Sequence, residues 1–134
     1  MSSEIDLYHE LSFYTLSHPD GELFLHQYAV DAFAAQHSRD NPKPITTAFA
    51  LIGLYLFAVK GFTGRQVQRV HMQLGKPKRS WPIFDAPSKN AKMSVGDVLK
   101  VEPGDARDHA IKEWARSVWE VWQDRQPEIE ALLQ

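Results

Sequence analysis

Residues 46–59 read Thr-Thr-Ala-Phe-Ala-Leu-Ile-Gly-Leu-Tyr-Leu-Phe-Ala-Val, and only the two threonines and Gly53 in this stretch are not apolar. A helix that is apolar on every side has to be covered by other helices or by lipid. Fourteen helical residues rise only about 21 Å, which is short of the roughly 30 Å hydrocarbon core of a bilayer. The stretch therefore predicts the central helix of a soluble bundle, with no membrane partner.

The composition is that of an ordinary globular protein. The chain has 134 residues, of which 43% are hydrophobic and 24% are charged. A chain of this length can bury roughly two thirds of its unfolded surface, so residues 1–134 are expected to form a single domain. There is no cysteine, which excludes disulfides and thiolate metal ligands, and the first residues lack the pattern of a signal peptide. We therefore expect a cytoplasmic protein.

Apolar residues at helical spacing predict an all-α fold in which other helices surround the central one. Capping-box spacing, with a hydroxyl residue followed three positions later by an acid or amide, occurs at Ser3, Thr63 and Ser94. Three tryptophans between residues 114 and 122 indicate that the last long helix closes the core. The sequence thus predicts a bundle of about five main helices, at residues 4–17, 22–38, 46–59, 63–74 and 105–124.

One long loop is expected between residues 75 and 93. It contains three prolines, a basic cluster and four apolar residues in a row at positions 81–84. A loop of this length inside a compact domain normally has anchors, and Trp81, Ile83 and Phe84 are the natural ones. We therefore expect this loop to pack across the bundle.

A histidine and aspartate pair is the first candidate for a functional site. The turn at residues 19–21 is short, so the two helices that it joins should be antiparallel and residues whose numbers sum to about 40 should lie opposite each other. That places His9 against Asp31. The carboxylate can hold the imidazole in one tautomer, or both groups can bind a metal ion.

The same pair can be extended to a metal or small-molecule site inside the bundle. His71 faces inward in the predicted pattern, and His26 is less than two helical turns from Asp31. The site His9, Asp31, His26 and His71 would suit a divalent transition metal such as zinc, iron, nickel or manganese. The chain has no His-x-x-x-His or Glu-x-x-His pair, so a purely structural hydrogen bond between His9 and Asp31 is the alternative.

The distribution of charge supports a second hypothesis. Residues 1–59 carry a net charge of -5, residues 60–92 carry +7 and residues 93–134 carry -4. The basic segment offers positive charge close to Trp81, which suits nucleic acid or another anionic partner. Alternatively, the segments attract one another within the molecule. The cations that would contact such a partner are Arg65, Arg69, Lys76, Lys78 and Arg79.

A third hypothesis needs no chemistry. The Trp81 loop, or a C-terminal tail containing Ile129, Leu132 and Leu133, could form a protein interface or a homodimer. Motifs for a nucleophile, a phosphate-binding loop or a dinucleotide site are missing from the sequence. The sequence therefore leaves open whether the protein is an enzyme.

Three segments carry a resemblance to known proteins. They are Tyr8-His9-Glu10-Leu11, the stretch His-Gln-Tyr-Ala-Val-Asp-Ala-Phe-Ala-Ala-Gln-His at residues 26–37, and Trp-Ala-Arg-Ser-Val-Trp at residues 114–119. Together they make the chain similar to a family of small bacterial proteins of unknown function. The resemblance covers most of the chain and supports the domain boundary, but it implies no activity, cofactor or partner.

Overall fold

The computed structural model describes residues 3–41 and 43–134, and this part of the chain is all-α, without strands. The prediction of an all-α fold with five main helices is confirmed, and two shorter helices accompany them. Turns of 3₁₀ helix follow α2, at Ser38–Asp40, and α6, at Gln123–Arg125. In chain order the helices are α1 (Glu4–Ser17), α2 (Leu25–Gln36), α3 (Pro44–Ala58), α4 (Gly64–Leu74), α5 (Val95–Leu99), α6 (Asp105–Trp122) and α7 (Gln126–Leu132).

The central helix is α3, as predicted. Ten of its fifteen residues are buried, and it contacts α2, α4, α6 and α7. It begins two residues earlier than predicted, with Lys43 as N-cap and Pro44 in the first turn, and no side chain caps it. Pro44 suits the first turn because its ring already holds φ near the helical value, and the N–H that it lacks would have no partner within the helix.

The helix α2 begins later than predicted because of the residue before it. Phe24 adopts a left-handed conformation with a φ of 43°, which ends the preceding turn and delays the helix to Leu25. The carboxylate of Asp20 accepts a hydrogen bond of 3.1 Å from the Leu25 N–H. The negative charge of Asp20 therefore lies at the positive end of the α2 dipole.

The start of α4 is attached to the same turn. Thr63 and Gln66 form the predicted capping box, and the Gly64 N–H donates to the Leu23 carbonyl at 2.7 Å. A Cβ at position 64 would overlap the carbonyl oxygen of Phe24, so only glycine allows this approach. The contact fixes α4 beside α2 and thereby brings side chains of the two helices together.

The remaining elements close the core. Trp114 and Trp122 of α6 are fully buried, and the Trp114 indole donates a hydrogen bond of 2.8 Å to the Gln36 side chain. In the loop, Phe84 is buried and Trp81 packs partly against the core, but Ile83 is 80% exposed. The prediction for Ile83 is wrong because its neighbour Phe84 takes the inward position. None of the described helices is both long and apolar enough to cross a bilayer.

Candidate functional site

The most unusual side chain in the core is Asp31, which is the one buried acidic or basic residue in the described part of the chain. Its Oδ1 atom accepts a hydrogen bond of 3.2 Å from Gln27 Nε2, one helical turn earlier on α2. Its Oδ2 atom is buried and has no hydrogen-bond partner among the described residues. Burial raises the pKa of Asp31 well above its usual range, and the hydrogen bond from Gln27 lowers it by a smaller amount. The net shift favours the neutral acid.

Gly53 of α3 provides the space for this carboxyl group. A Cβ at position 53 would overlap Asp31 Oδ2, and it would lie 2.6 Å from Asp31 Cγ and 3.2 Å from Val67 Cγ1. Gly53 is therefore the gap in the apolar surface of α3 into which Asp31 fits. A glycine is present at this position of α3 because the carboxyl group of Asp31, in α2, occupies the space of a side chain.

His71 of α4 lies on the other side of Gln27. Its Nε2 atom is 2.8 Å from the carbonyl oxygen of Phe49, which can only accept, so Nε2 carries the hydrogen and donates. The Nδ1 atom is then the acceptor for Gln27 Nε2 at 3.4 Å. Burial lowers the pKa of His71, and the hydrogen bond to the Phe49 carbonyl raises it by a smaller amount. The net shift favours the neutral ring.

One turn of α3 thus positions both titratable groups. His71 bonds to the carbonyl of Phe49, and Asp31 packs on Gly53, four residues further along the same helix. The amide of Gln27 joins them, since its two N–H groups can serve Asp31 and His71 at the same time. The result is a chain of hydrogen bonds from a buried acid to a partly buried imidazole.

This chain of hydrogen bonds borders a cleft of about 320 Å³ between α2, α3 and α4. Within the described part of the chain, the Gln27 Oε1 atom and the Thr46 hydroxyl make no hydrogen bond and remain available. A small apolar cleft with a few polar groups is the usual form of a small-molecule site. The polar residues lining it are Gln27, Asp31, Thr46 and His71, and the apolar ones are Val30, Ala34, Ile45, Phe49 and Ala50.

The predicted contact between His9 and Asp31 is not formed. His9 is exposed on α1, and no described residue makes a hydrogen bond or ion pair with it. The predicted register is nevertheless present, because α1 and α2 meet through pairs whose numbers sum to about 40. Thr15 Oγ1 lies 3.0 Å from His26 Nδ1, and the ring of Tyr8 stacks on that of Phe33 with their centres 4.3 Å apart. Glu4 Oε2 lies 3.9 Å from His37 Nε2.

The rotation of α2 explains this outcome. The pairs place the His26 face of α2 against α1, and Asp31, five residues on, is about 140° round the helix. Asp31 therefore faces α3 and α4, away from His9. Gln27 belongs to the same face as Asp31, one turn away, and this spacing is the signal that could have included it among the candidates.

The four residues of the predicted metal site are only partly brought together. Asp31 and His71 border the same cleft, whereas His26 bonds to Thr15 and His9 is at the surface. Within residues 3–41 and 43–134, no three His, Asp or Glu side chains are grouped so that they could hold a metal ion. The metal hypothesis stays a prediction, and Asp31 with His71 is the pair on which it now depends.

The five cations predicted to contact an anionic partner fall into two groups. Arg69 donates to both oxygens of Glu22, at 2.6 and 2.9 Å, and lowers the pKa of that carboxyl. The guanidinium of Arg65 lies 3.8 Å from the centre of the Phe24 ring. Both residues are engaged within the molecule, and the ion pair between Arg69 and Glu22 is of the kind that the alternative of internal charge attraction predicts. The other three, Lys76, Lys78 and Arg79, form no ion pair with a described residue, although Arg79 lies over the Trp81 ring.

Residues 5–123 match the model of DUF5946, which is described as a family of unknown function. The chain belongs to this family. The match includes Gln27, Asp31, Gly53 and His71, so the cleft lies within the region that defines DUF5946. The predicted resemblance to a family of unknown function is thereby confirmed. Comparison with curated proteins found no match, and comparison with solved structures found none.

Proposed function

We propose that the protein binds a small organic molecule in the cleft between α2, α3 and α4. The observation that carries the proposal is the buried Asp31, with one unpartnered oxygen, joined through Gln27 to His71 at this cleft. The ligand's polar part would bond to Gln27 Oε1 and the Thr46 hydroxyl, which line the cleft and make no hydrogen bond with a described residue. Its apolar part would lie against Val30 and Phe49, which line the same cleft.

The energetic cost of Asp31 supports a functional role. A buried polar atom without a partner costs about 1–3 kcal/mol, and a core position has no need of a carboxyl group for packing. Buried groups with strongly shifted pKa values are concentrated at functional sites. Asp31 acts as a positioning residue in this proposal. By accepting from Gln27 Nε2 it orients the amide so that Oε1 can accept an N–H or O–H of the ligand.

The cytoplasmic location expected from the sequence is part of the proposal. It is supported by the lack of cysteine, because extracellular domains of this size frequently depend on disulfides.

Filling the cleft is expected to prevent binding. N-phenyl-1-naphthylamine is a suitable fluorescent probe, because it has apolar rings and one N–H. Ala34 lines the cleft, and Ala34→Leu should raise the Kd of this probe about ten-fold or more by occupying its space. Ala106→Leu makes the same change at an exposed position of α6 and should leave the Kd unchanged. Equal binding by both variants and wild type would refute the proposed site.

The metal hypothesis is tested on the same protein. Material purified without chelators or metal-affinity resin is analysed for zinc, iron, nickel and manganese. A near-stoichiometric metal that is lost in His71→Ala would assign the site to a metal ion. The same content in wild type and His71→Ala would exclude His71 as a ligand.

A further inference from the structure

A groove adjoins the cleft. It has a volume of about 690 Å³ and lies between the start of α3 and the loop segment 75–81. Ile45 lines both the groove and the cleft. The rings of Phe49, in the cleft, and Trp81, in the groove, meet edge to face with their centres 5.0 Å apart. A molecule that extends out of the cleft past Ile45 would therefore enter this groove.

The groove is lined by three cations, Lys43, Lys78 and Arg79. No carboxylate of the described residues lies within 4.0 Å of their nitrogen atoms, in contrast to the pairs that Arg69 and Arg116 form. The sequence from residue 41 to residue 84 contains seven lysines and arginines and no aspartate or glutamate. Burial raises the pKa of Asp31 in the neighbouring cleft and favours its neutral form, which does not offset this charge. The groove is thus a positively charged site.

One of these cations is held in place before any ligand binds. The guanidinium of Arg79 lies 4.0 Å from the centre of the Trp81 ring, and its Nη2 atom donates to the Leu132 carbonyl at 3.0 Å. A guanidinium has five N–H groups, so donors remain for a ligand. A side chain that is already ordered loses less conformational entropy on binding.

We propose that the ligand of the cleft carries an anionic group, a carboxylate, sulfonate or phosphate, and that this group lies between Lys43, Lys78 and Arg79. The inference rests on the proposed function, because it identifies the class of molecule that the cleft takes. The apolar part of the ligand lies on Ile45, Phe49 and Trp81. An anion with an apolar body matches both the charge of the groove and the walls of the cleft.

The structure favours a small anion over nucleic acid. A duplex or single strand is held by many separate phosphate contacts. Of the five predicted cations, Arg69 is paired with Glu22, and Arg65 lies over Phe24 as Arg79 lies over Trp81. Lys43, Lys78 and Arg79 line one groove beside an apolar cleft, which is the arrangement expected for a single anionic group.

A matched pair of probes tests the proposal. 8-Anilinonaphthalene-1-sulfonate has the same rings and N–H as N-phenyl-1-naphthylamine and differs only by its sulfonate. In Lys43→Gln/Lys78→Gln, the Kd of the sulfonate probe should rise about ten-fold, while that of the neutral probe should change less than about two-fold. Raising the salt from about 50 to 200 mM should weaken the sulfonate probe alone.

The control variant is Lys89→Gln/Lys92→Gln, which removes the same charge from exposed positions at the far end of the loop. It should bind both probes as the wild type does. Equal weakening of the sulfonate probe in both variants, or no preference for the sulfonate in the wild type, would overturn the anionic site. The neutral probe and Ala34→Leu still test the cleft in that case. A short oligonucleotide that binds and depends on Lys43 and Lys78 would replace the small anion by nucleic acid.

Discussion

Gly53→Ala is expected to lower the free energy of unfolding by about 1–3 kcal/mol, although glycine to alanine normally stabilises a helix by about 0.5–1 kcal/mol. The reason is the position of Asp31. A methyl group at position 53 would overlap the Asp31 carboxyl and lie 3.2 Å from Val67. Because α3 is buried along its length, neither partner can move away without disturbing the core.

A double-mutant cycle separates the two effects. In an Asp31→Ala background only the 3.2 Å approach to Val67 remains, so Gly53→Ala should be neutral or stabilise the protein by up to about 1 kcal/mol, which implies a coupling of about 1–4 kcal/mol. Denaturant unfolding of the four proteins measures it. Gly96→Ala is the matched control, because a Cβ in α5 would come no closer than 3.5 Å to Leu7. The same loss from Gly53→Ala with and without Asp31 would show that another group is the obstacle.

The second large effect concerns pH. Asp31→Asn is expected to become more stable than the wild type as the pH rises above about 4. In the unfolded chain the aspartate loses its proton near pH 3.9, whereas the buried Asp31 keeps it to a much higher pH. Between the unfolded and the folded pKa of Asp31, the folded wild type holds one proton more than the unfolded chain. Its free energy of unfolding therefore falls by about 1.4 kcal/mol per pH unit. Asparagine has no proton to lose, and the difference levels off above the folded pKa.

The free energy of unfolding of wild type and Asp31→Asn, measured between about pH 4 and pH 8, tests the direction of this difference. The lowered pKa of His71 also makes stability depend on pH, but it is common to wild type and variant and largely cancels in their difference. Asp85→Asn changes an exposed loop residue and should show no such trend. If Asp31→Asn were instead less stable at neutral pH, with a difference that vanishes in acid, Asp31 would be an ionised, stabilised carboxylate.

The helices themselves could be predicted because their signals are local. The apolar stretch at 46–59 and the capping boxes at Ser3, Thr63 and Ser94 each depend on residues within a few positions, and all are present as expected. The start of α2 could not be read in this way. Phe24 is left-handed where its carbonyl group and that of Leu23 approach Gly64, forty residues later in the chain.

The candidate site shows the same division. Helical spacing and a short turn predict which residues of α1 and α2 are level with each other, and that register is correct. They do not predict how far α2 is rotated, and this rotation turns Asp31 away from His9 and toward Gly53. The bond between Gln27 and His71 joins residues that are 44 positions apart. Periodicity shows which side of a helix faces inward. Which neighbouring helix that side contacts depends on how all the helices pack together around α3.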